Sequence, residues 1–189
     1  MEAVRAVPNI KDEDLMAQIA NGDKQAFQVL AQRHMNLLYS VAFRMYPQRA
    51  DAEDIVQEAL VRIWSKAHLW RPGTGAAVST WIYRLAYNLC IDHKRRANLQ
   101  TTVLDERHED SSDRPDMKFQ RGQTGEIVKA ALQRLPERQR AALVLCHYQG
   151  LTNAEAAEAM GTSVKGIEAL LVRARQALKK ELSSYKGLL

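Results

Sequence analysis

The chain has 189 residues, 46% of them hydrophobic, with 27 lysines and arginines against 22 aspartates and glutamates and a net charge of +5. That length holds one large domain or two small ones. No apolar run approaches the roughly 18 residues of a membrane helix, and the first segment, broken by Pro8, Asn21, Gly22 and many charges, does not read as a signal peptide, so a cytoplasmic protein is expected. Cys90 and Cys146 form no paired metal or redox motif, and Cys90 with His93 offers too few ligands for a zinc site. No metal or other cofactor is expected.

The first half reads as helices. An apolar-periodic run opens at Asp12 and passes through Leu15 and Ile19 to stop at Asn21-Gly22. A longer one carries Phe27, Leu30, Leu38, Val41 and Met45 and ends at Pro47. Asp51 opens a third helix, with acids in its first turn facing the positive helix end. Arg71-Pro72-Gly73-Thr74-Gly75 is a loop, and Ser79 is the expected cap of a fourth helix through Trp81, Ile82, Leu85, Leu89 and Ile91 into the basic cluster His93-Lys94-Arg95-Arg96.

From Leu99 to Asp116 the chain is rich in Asp, Glu and Ser and poor in apolar anchors. This predicts a flexible acidic linker. Helical periodicity resumes at about Glu126, punctuated at Leu135-Pro136, Gln149-Gly150 and Met160-Gly161. Residues 1–100 carry 13 basic and 10 acidic side chains, 101–124 carry 4 and 6, and 125–189 carry 10 and 6. Two basic blocks therefore flank an acidic strap, a distribution suited to two contacts with a polyanion. The expected fold is all-α: two small helical domains, residues 1–97 and 124–189, joined by a linker at 98–123.

The second half carries a helix-turn-helix pattern. Thr152-Asn153-Ala154-Glu155 fits a capping box, Ala156, Ala157 and Met160 supply an inner face, and Gly161 allows a sharp turn. Ser163 then caps a second helix whose Val164, Ile167, Leu171, Ala174 and Leu178 share one stripe. Ser163, Lys165, Gly166, Glu168 and Ala169 lie at the end of that helix that meets base edges, with Arg173, Arg175, Lys179 and Lys180 placed for phosphates.

Leu135-Pro136-Glu137-Arg138-Gln139-Arg140, Tyr148-Gln149-Gly150-Leu151-Thr152, the helix-turn-helix and Arg173-Ala174-Arg175 together resemble the C-terminal domain of sigma factors, which reads the minus-thirty-five promoter element. Asp51-Ala52-Glu53-Asp54-Ile55-Val56-Gln57-Glu58 resembles their polymerase-binding helix. Ser79-Thr80-Trp81-Ile82-Tyr83-Arg84-Leu85-Ala86-Tyr87-Asn88 and Ile91-Asp92-His93-Lys94-Arg95-Arg96 resemble their minus-ten helix. Two signatures in the right order, with no middle domain, are similar to the extracytoplasmic-function group.

The resemblance implies an alternative sigma factor, not an enzyme, that binds core RNA polymerase and promoter DNA, initiates transcription in a stress response and is held by an anti-sigma factor, for which Leu170 and Trp64 are suitable exposed apolar contacts. It implies polymerase contacts at Asp51, Asp54, Gln57, Glu58 and Arg62; Ile55 and Ile63 on the same helix are expected in the core from their apolar character. Minus-ten contacts fall on Trp81, Arg84, Asn88, Lys94, Arg95 and Arg96, beside a base pocket in the loop from about Leu69 to Val78. Trp81 and Tyr87 are also candidate core aromatics. Minus-thirty-five contacts fall on Ser163, Lys165, Gly166, Glu168, Ala169, Arg173 and Arg175. One departure stands out: Gly166-Ile167-Glu168-Ala169-Leu170-Leu171 occupies a stretch where many relatives carry Thr-Val-Lys-Ser-Arg-Leu, so positive charge is lost and Glu168 becomes a candidate acceptor for a cytosine amino group. The alternative reading is an autonomous helix-turn-helix regulator with residues 1–97 as a sensor or dimerisation domain.

Overall fold

The computed structural model describes residues 10–71, 77–103 and 121–183, with the backbone alone at 97–103 and 121–124. Among the described residues the regular structure is helical throughout. The order is α1 (Asp12–Ala20), α2 (Lys24–Met45), α3 (Arg49–Lys66) with a trailing 3-10 turn (Ala67–Leu69), and α4 (Val78–Val103). Then come α5 (Arg121–Gln133), α6 (Glu137–Leu143) running into a π turn (Val144–Tyr148), α7 (Asn153–Ala159) and α8 (Val164–Ser183).

Local chemistry sets most of the helix ends. Gly22 takes φ 87°, closing α1. Asp23 then accepts the N–H groups of Gln25 (2.8 Å) and Ala26 (3.1 Å), satisfying donors that the first turn of α2 leaves without an intrahelical partner. Tyr46 is extended ahead of Pro47, as a residue before proline prefers.

Two expected starts differ. The third helix begins at Arg49, with Asp51 inside its first turn. Ser79 does not cap α4: the helix already starts at Val78, and Ala77 O receives the N–H of Trp81 at 3.1 Å. Val78 is fully buried, so packing sets that boundary ahead of the nearest polar cap. Helix α4 also continues past the basic cluster to Val103, and α5 begins at Arg121, so both ends of the expected linker are helical backbone. Residues 104–120 of that linker, and 72–76 of the expected base pocket, lie outside the described residues.

Helix α2 is central. Its Leu30, Leu38, Val41, Ala42 and Met45 are buried against Leu15, Met16 and Ile19 of α1, Ile55, Ala59 and Ile63 of α3, and Ile82 and Ala86 of α4. Asp12 pins α1 to it, taking a hydrogen bond with buried His34 Nε2 at 2.6 Å and pairing with Arg33. In the second half, Val144 and Leu145 of the π turn, Ala156 and Ala157 of α7, and Ile167, Leu171 and Ala174 of α8 form the buried set. Ala157 is small where α7 and α8 cross, as its position in the motif requires.

Removing Ile63, which has no exposed surface, should leave a cavity. Ile63→Ala is expected to cost about 2–5 kcal/mol, whereas Val61→Ala, on the same helix but 61% exposed, should stay within about 0.5 kcal/mol. Urea unfolding of both variants checks the contrast.

Candidate nucleic-acid interface

The helix-turn-helix is built from its caps outward. Thr152 Oγ1 accepts the Glu155 N–H at 3.2 Å, and Glu155 Oε2 takes the Thr152 N–H at 2.8 Å and its hydroxyl at 2.7 Å, completing the capping box at the start of α7. These bonds hold the Glu155 carboxyl below its ordinary range. Gly161 makes the turn at φ 60°. Ser163 Oγ then accepts the Gly166 N–H at 3.1 Å, capping α8 as expected.

Gly166 has a steric reason that the sequence does not disclose. A Cβ there would sit 2.6 Å from Thr162 Oγ1 and 3.3 Å from Ser163 Oγ, so the bare backbone leaves room for the two hydroxyls of the turn. Thr162, which the motif reading missed, thus lies against the first turn of α8.

Along α8, Ile167, Leu171 and Ala174 are buried, Leu178 is partly so, and Val164 is exposed rather than part of the inner stripe. Ser163, Lys165, Glu168, Ala169, Arg173 and Arg175 all reach solvent, and Gly166 is half-buried. Arg175 Nη2 lies 3.1 Å from His147 Nε2, which orients its guanidinium from the neighbouring π turn. Exposed Val172, between Leu171 and Arg173, adds an apolar side chain to the outward face of this helix.

Helix α4 is divided by packing. Arg84, Asn88, Lys94, Arg95 and Arg96 are exposed and Trp81 is half-buried. Tyr83 and Tyr87, on another face, are each only 8% exposed and lie under the second half of the chain. Tyr83 Oη is 3.5 Å from Gln149 Oε1, Tyr87 shares a hydrogen bond with Arg138, and burial pushes both phenols up. Among Trp81, Tyr83 and Tyr87 of this helix, Trp81 alone is left partly open to solvent. Cys90, on the covered face, is buried and its thiol is pushed up to about 12, which keeps it protonated at neutral pH.

The polar face of α3 is partly committed to α4. Asp51 Oδ1 is 3.4 Å from His93 Nε2, and Arg62 pairs with Glu58 at 2.8 Å and reaches Asp92 at 3.9 Å, which also meets Arg95 at 3.2 Å. Asp54 and Gln57 point outward. Ile55 and Ile63 are buried, as expected. Between α2 and α3 lies a groove of about 480 Å³ with Met35, Tyr39, Val56, Gln57 and Leu60 in its lining. Neither expected exposed apolar contact is freely exposed: Trp64 packs edge-on against Phe27, ring centroids 5.3 Å apart, and Leu170 leans on the core. Their flanking apolar neighbours satisfy them; among the described residues, Met35, Val61, Leu69, Tyr148, Val164 and Val172 are the large apolar side chains left exposed.

Residues 30–100 match the family described as Sigma-70 region 2, and residues 125–178 match Sigma-70, region 4. The chain is 33% identical over 171 residues to the ECF RNA polymerase sigma factor SigM of Mycobacterium tuberculosis, covering 90% of this chain and 84% of that one. Among solved structures it is similar to CnrH in complex with the cytosolic domain of CnrY, at 27% identity and a TM-score of 0.67 over 92% of this chain and 97% of that one. It shares the fold of the sigma factor RpoE of Bartonella quintana, solved with the anti-sigma factor NepR, at 23% identity and a TM-score of 0.70 over 83% and 96% of the two chains.

The capping box carries a pH signature. Because the Glu155 carboxyl is depressed in the folded state, its contribution is complete above the ordinary glutamate value of about 4.3 and is lost as pH falls through the lower folded value. Wild type is expected to exceed Glu155→Gln in stability by a constant margin from about pH 6 to 8, and the margin should shrink below about pH 4. Paired urea titrations across that range measure it.

Proposed function

The chain belongs to the extracytoplasmic-function sigma factors of the sigma-70 family, and on that premise we propose how its residues divide the work of directing RNA polymerase to promoters. Asp54 and Gln57, with Asp51, Glu58 and Arg62 behind them, meet core polymerase from α3. Asp51 and Arg62 act partly by tying that helix to α4 through His93 and Asp92.

On α4, Trp81 offers an aromatic face to an unstacked base, a contact worth about 1–3 kcal/mol. Arg84 and Asn88 flank it, and Lys94, Arg95 and Arg96 hold the minus-ten backbone. On α8, Ser163, Lys165, Gly166, Glu168 and Ala169 face the bases of the minus-thirty-five element, and Arg173 and Arg175 face its phosphates. The protein does no covalent chemistry of its own and works in the cytoplasm, where polymerase and promoter are.

The single observation that carries this division is that two helices of one chain, α4 and α8, each turn an outward row of basic side chains to solvent beside a residue suited to base contact, Trp81 and Glu168. An anti-sigma factor completes the reading. Exposed Val61 and Leu69, together with the apolar groove between α2 and α3, offer it a surface that core polymerase also needs, and the RpoE relative is solved with such a partner.

In vitro transcription with core polymerase and promoters randomised at both elements is expected to yield start sites that require this protein. Binding of an operator without polymerase, and no initiation with it, would instead mark an autonomous regulator.

Glu168→Ala should erode discrimination at one base pair of the minus-thirty-five element by about 1–3 kcal/mol. Unchanged discrimination at every position would remove Glu168 from base reading.

A further inference from the structure

Arg49, Arg62, Arg95 and Arg134 are each held by a carboxylate: Glu53 at 2.6 Å, Glu58 at 2.8 Å, Asp92 at 3.2 Å and Glu181 at 2.7 Å. Arg175 is held differently. Its Nη2 lies 3.1 Å from His147 Nε2, and among the described residues no carboxylate pairs with it.

Chemistry fixes the direction of that bond. A guanidinium has five N–H donors and no acceptor, so Nε2 accepts and the proton of the neutral imidazole sits on Nδ1. Such a bond sets where the guanidinium points and leaves its charge whole. A carboxylate in the same place would cancel that charge. The remaining donors of the fork stay available to an anion, which arginine grips in a planar, two-pronged geometry.

The surroundings suit an anion from outside the chain. His147 and Arg175 are both exposed. Lys179, four residues on and therefore on the same face of α8, is exposed as well. His147 itself belongs to the π turn at Val144–Tyr148, a departure from regular helix of the kind that recurs at functional sites. A long exposed side chain surrenders rotamer freedom when it grips a ligand, and one already held surrenders less. A neutral partner for Arg175 thus lowers the cost of meeting an anion without competing for its charge.

We propose that His147 is a positioning residue for promoter binding: from the π turn it aims the Arg175 guanidinium at one phosphate of the minus-thirty-five backbone. The inference rests on the assignment of Arg175 to phosphates made above and adds the group that makes the contact effective.

The test measures binding of this chain, assembled with core polymerase, to a promoter recovered from the randomised library. Backbone phosphates around the minus-thirty-five element are replaced one at a time by uncharged methylphosphonates. For wild type, replacing a contacted phosphate should weaken binding about tenfold, the scale of one charge-assisted hydrogen bond. Arg175→Gln should become indifferent to replacement at one phosphate, which is its own. His147→Phe, which keeps a ring and removes the acceptor, should become indifferent to that same phosphate. It should also bind the unmodified promoter several-fold more weakly, with the slope of log affinity against log salt reduced by about 0.9. His147→Gln, whose side-chain carbonyl accepts in place of Nε2, should keep the wild-type pattern. Adding His147→Phe to Arg175→Gln should cost nothing more.

If Arg175→Gln keeps wild-type sensitivity at every phosphate, Arg175 meets none of them and the inference falls with that assignment. If Arg175→Gln loses one and His147→Phe does not, the positioning role alone falls. It falls equally if His147→Gln loses that phosphate, or if the double variant binds more weakly than Arg175→Gln, which would make His147 a contact in its own right.

Discussion

Helix α2 makes the largest single demand on this fold, because Leu30, Leu38, Val41, Ala42 and Met45 must leave water along most of its 22 residues. One neighbour cannot cover a stripe of that length. Helix α1 takes the early part, held by the Asp12–His34 bond, α3 and α4 take the middle, and α5, α6 and the π turn meet its C-terminal end. The positions of α3 and α4 follow from their service to this core: each gives one face to α2 and leaves another to solvent.

Charge is arranged to reinforce that division. The Asp51–His93 and Glu58–Arg62–Asp92–Arg95 contacts join α3 to α4 at their half-exposed edges. Exposed pairs of this kind contribute little stability individually, but they bear on the orientation of α3 relative to α4. Arg140 is the opposite case. It is only 8% exposed, and its burial is tolerable because four acceptors surround its terminal nitrogens.

The π turn at Val144–Tyr148 links these themes. It adds a residue to the helical turn, with Gln149 N–H reaching back to Val144 O at 3.1 Å. That shift brings Tyr148 beneath Arg44 and Gln149 onto Ser40, and sets His147 beside Arg175 of α8. A regular helix would lack the extra residue, turning the side chains beyond it by about 100° and losing the register.

Local and periodic features were legible in the amino-acid order itself: the all-α class, the capping box at Thr152, the turn at Gly161, the Ser163 cap, the buried Ile55 and Ile63, and the solvent-facing row from Lys165 to Arg175. Each depends on side chains within a few residues of one another, where spacing alone determines the geometry. What only the tertiary structure decided lies between distant segments. Val78 starts α4 ahead of Ser79 because the core claims it. Tyr83 and Tyr87 leave the solvent-facing side of α4 because the second half of the chain covers them, and Trp64 is shielded by Phe27. Arg140 caps a helix 95 residues away, a partnership that no sequence period records, because hydrogen bonds across a fold depend on which surfaces meet and not on the order in which they were made.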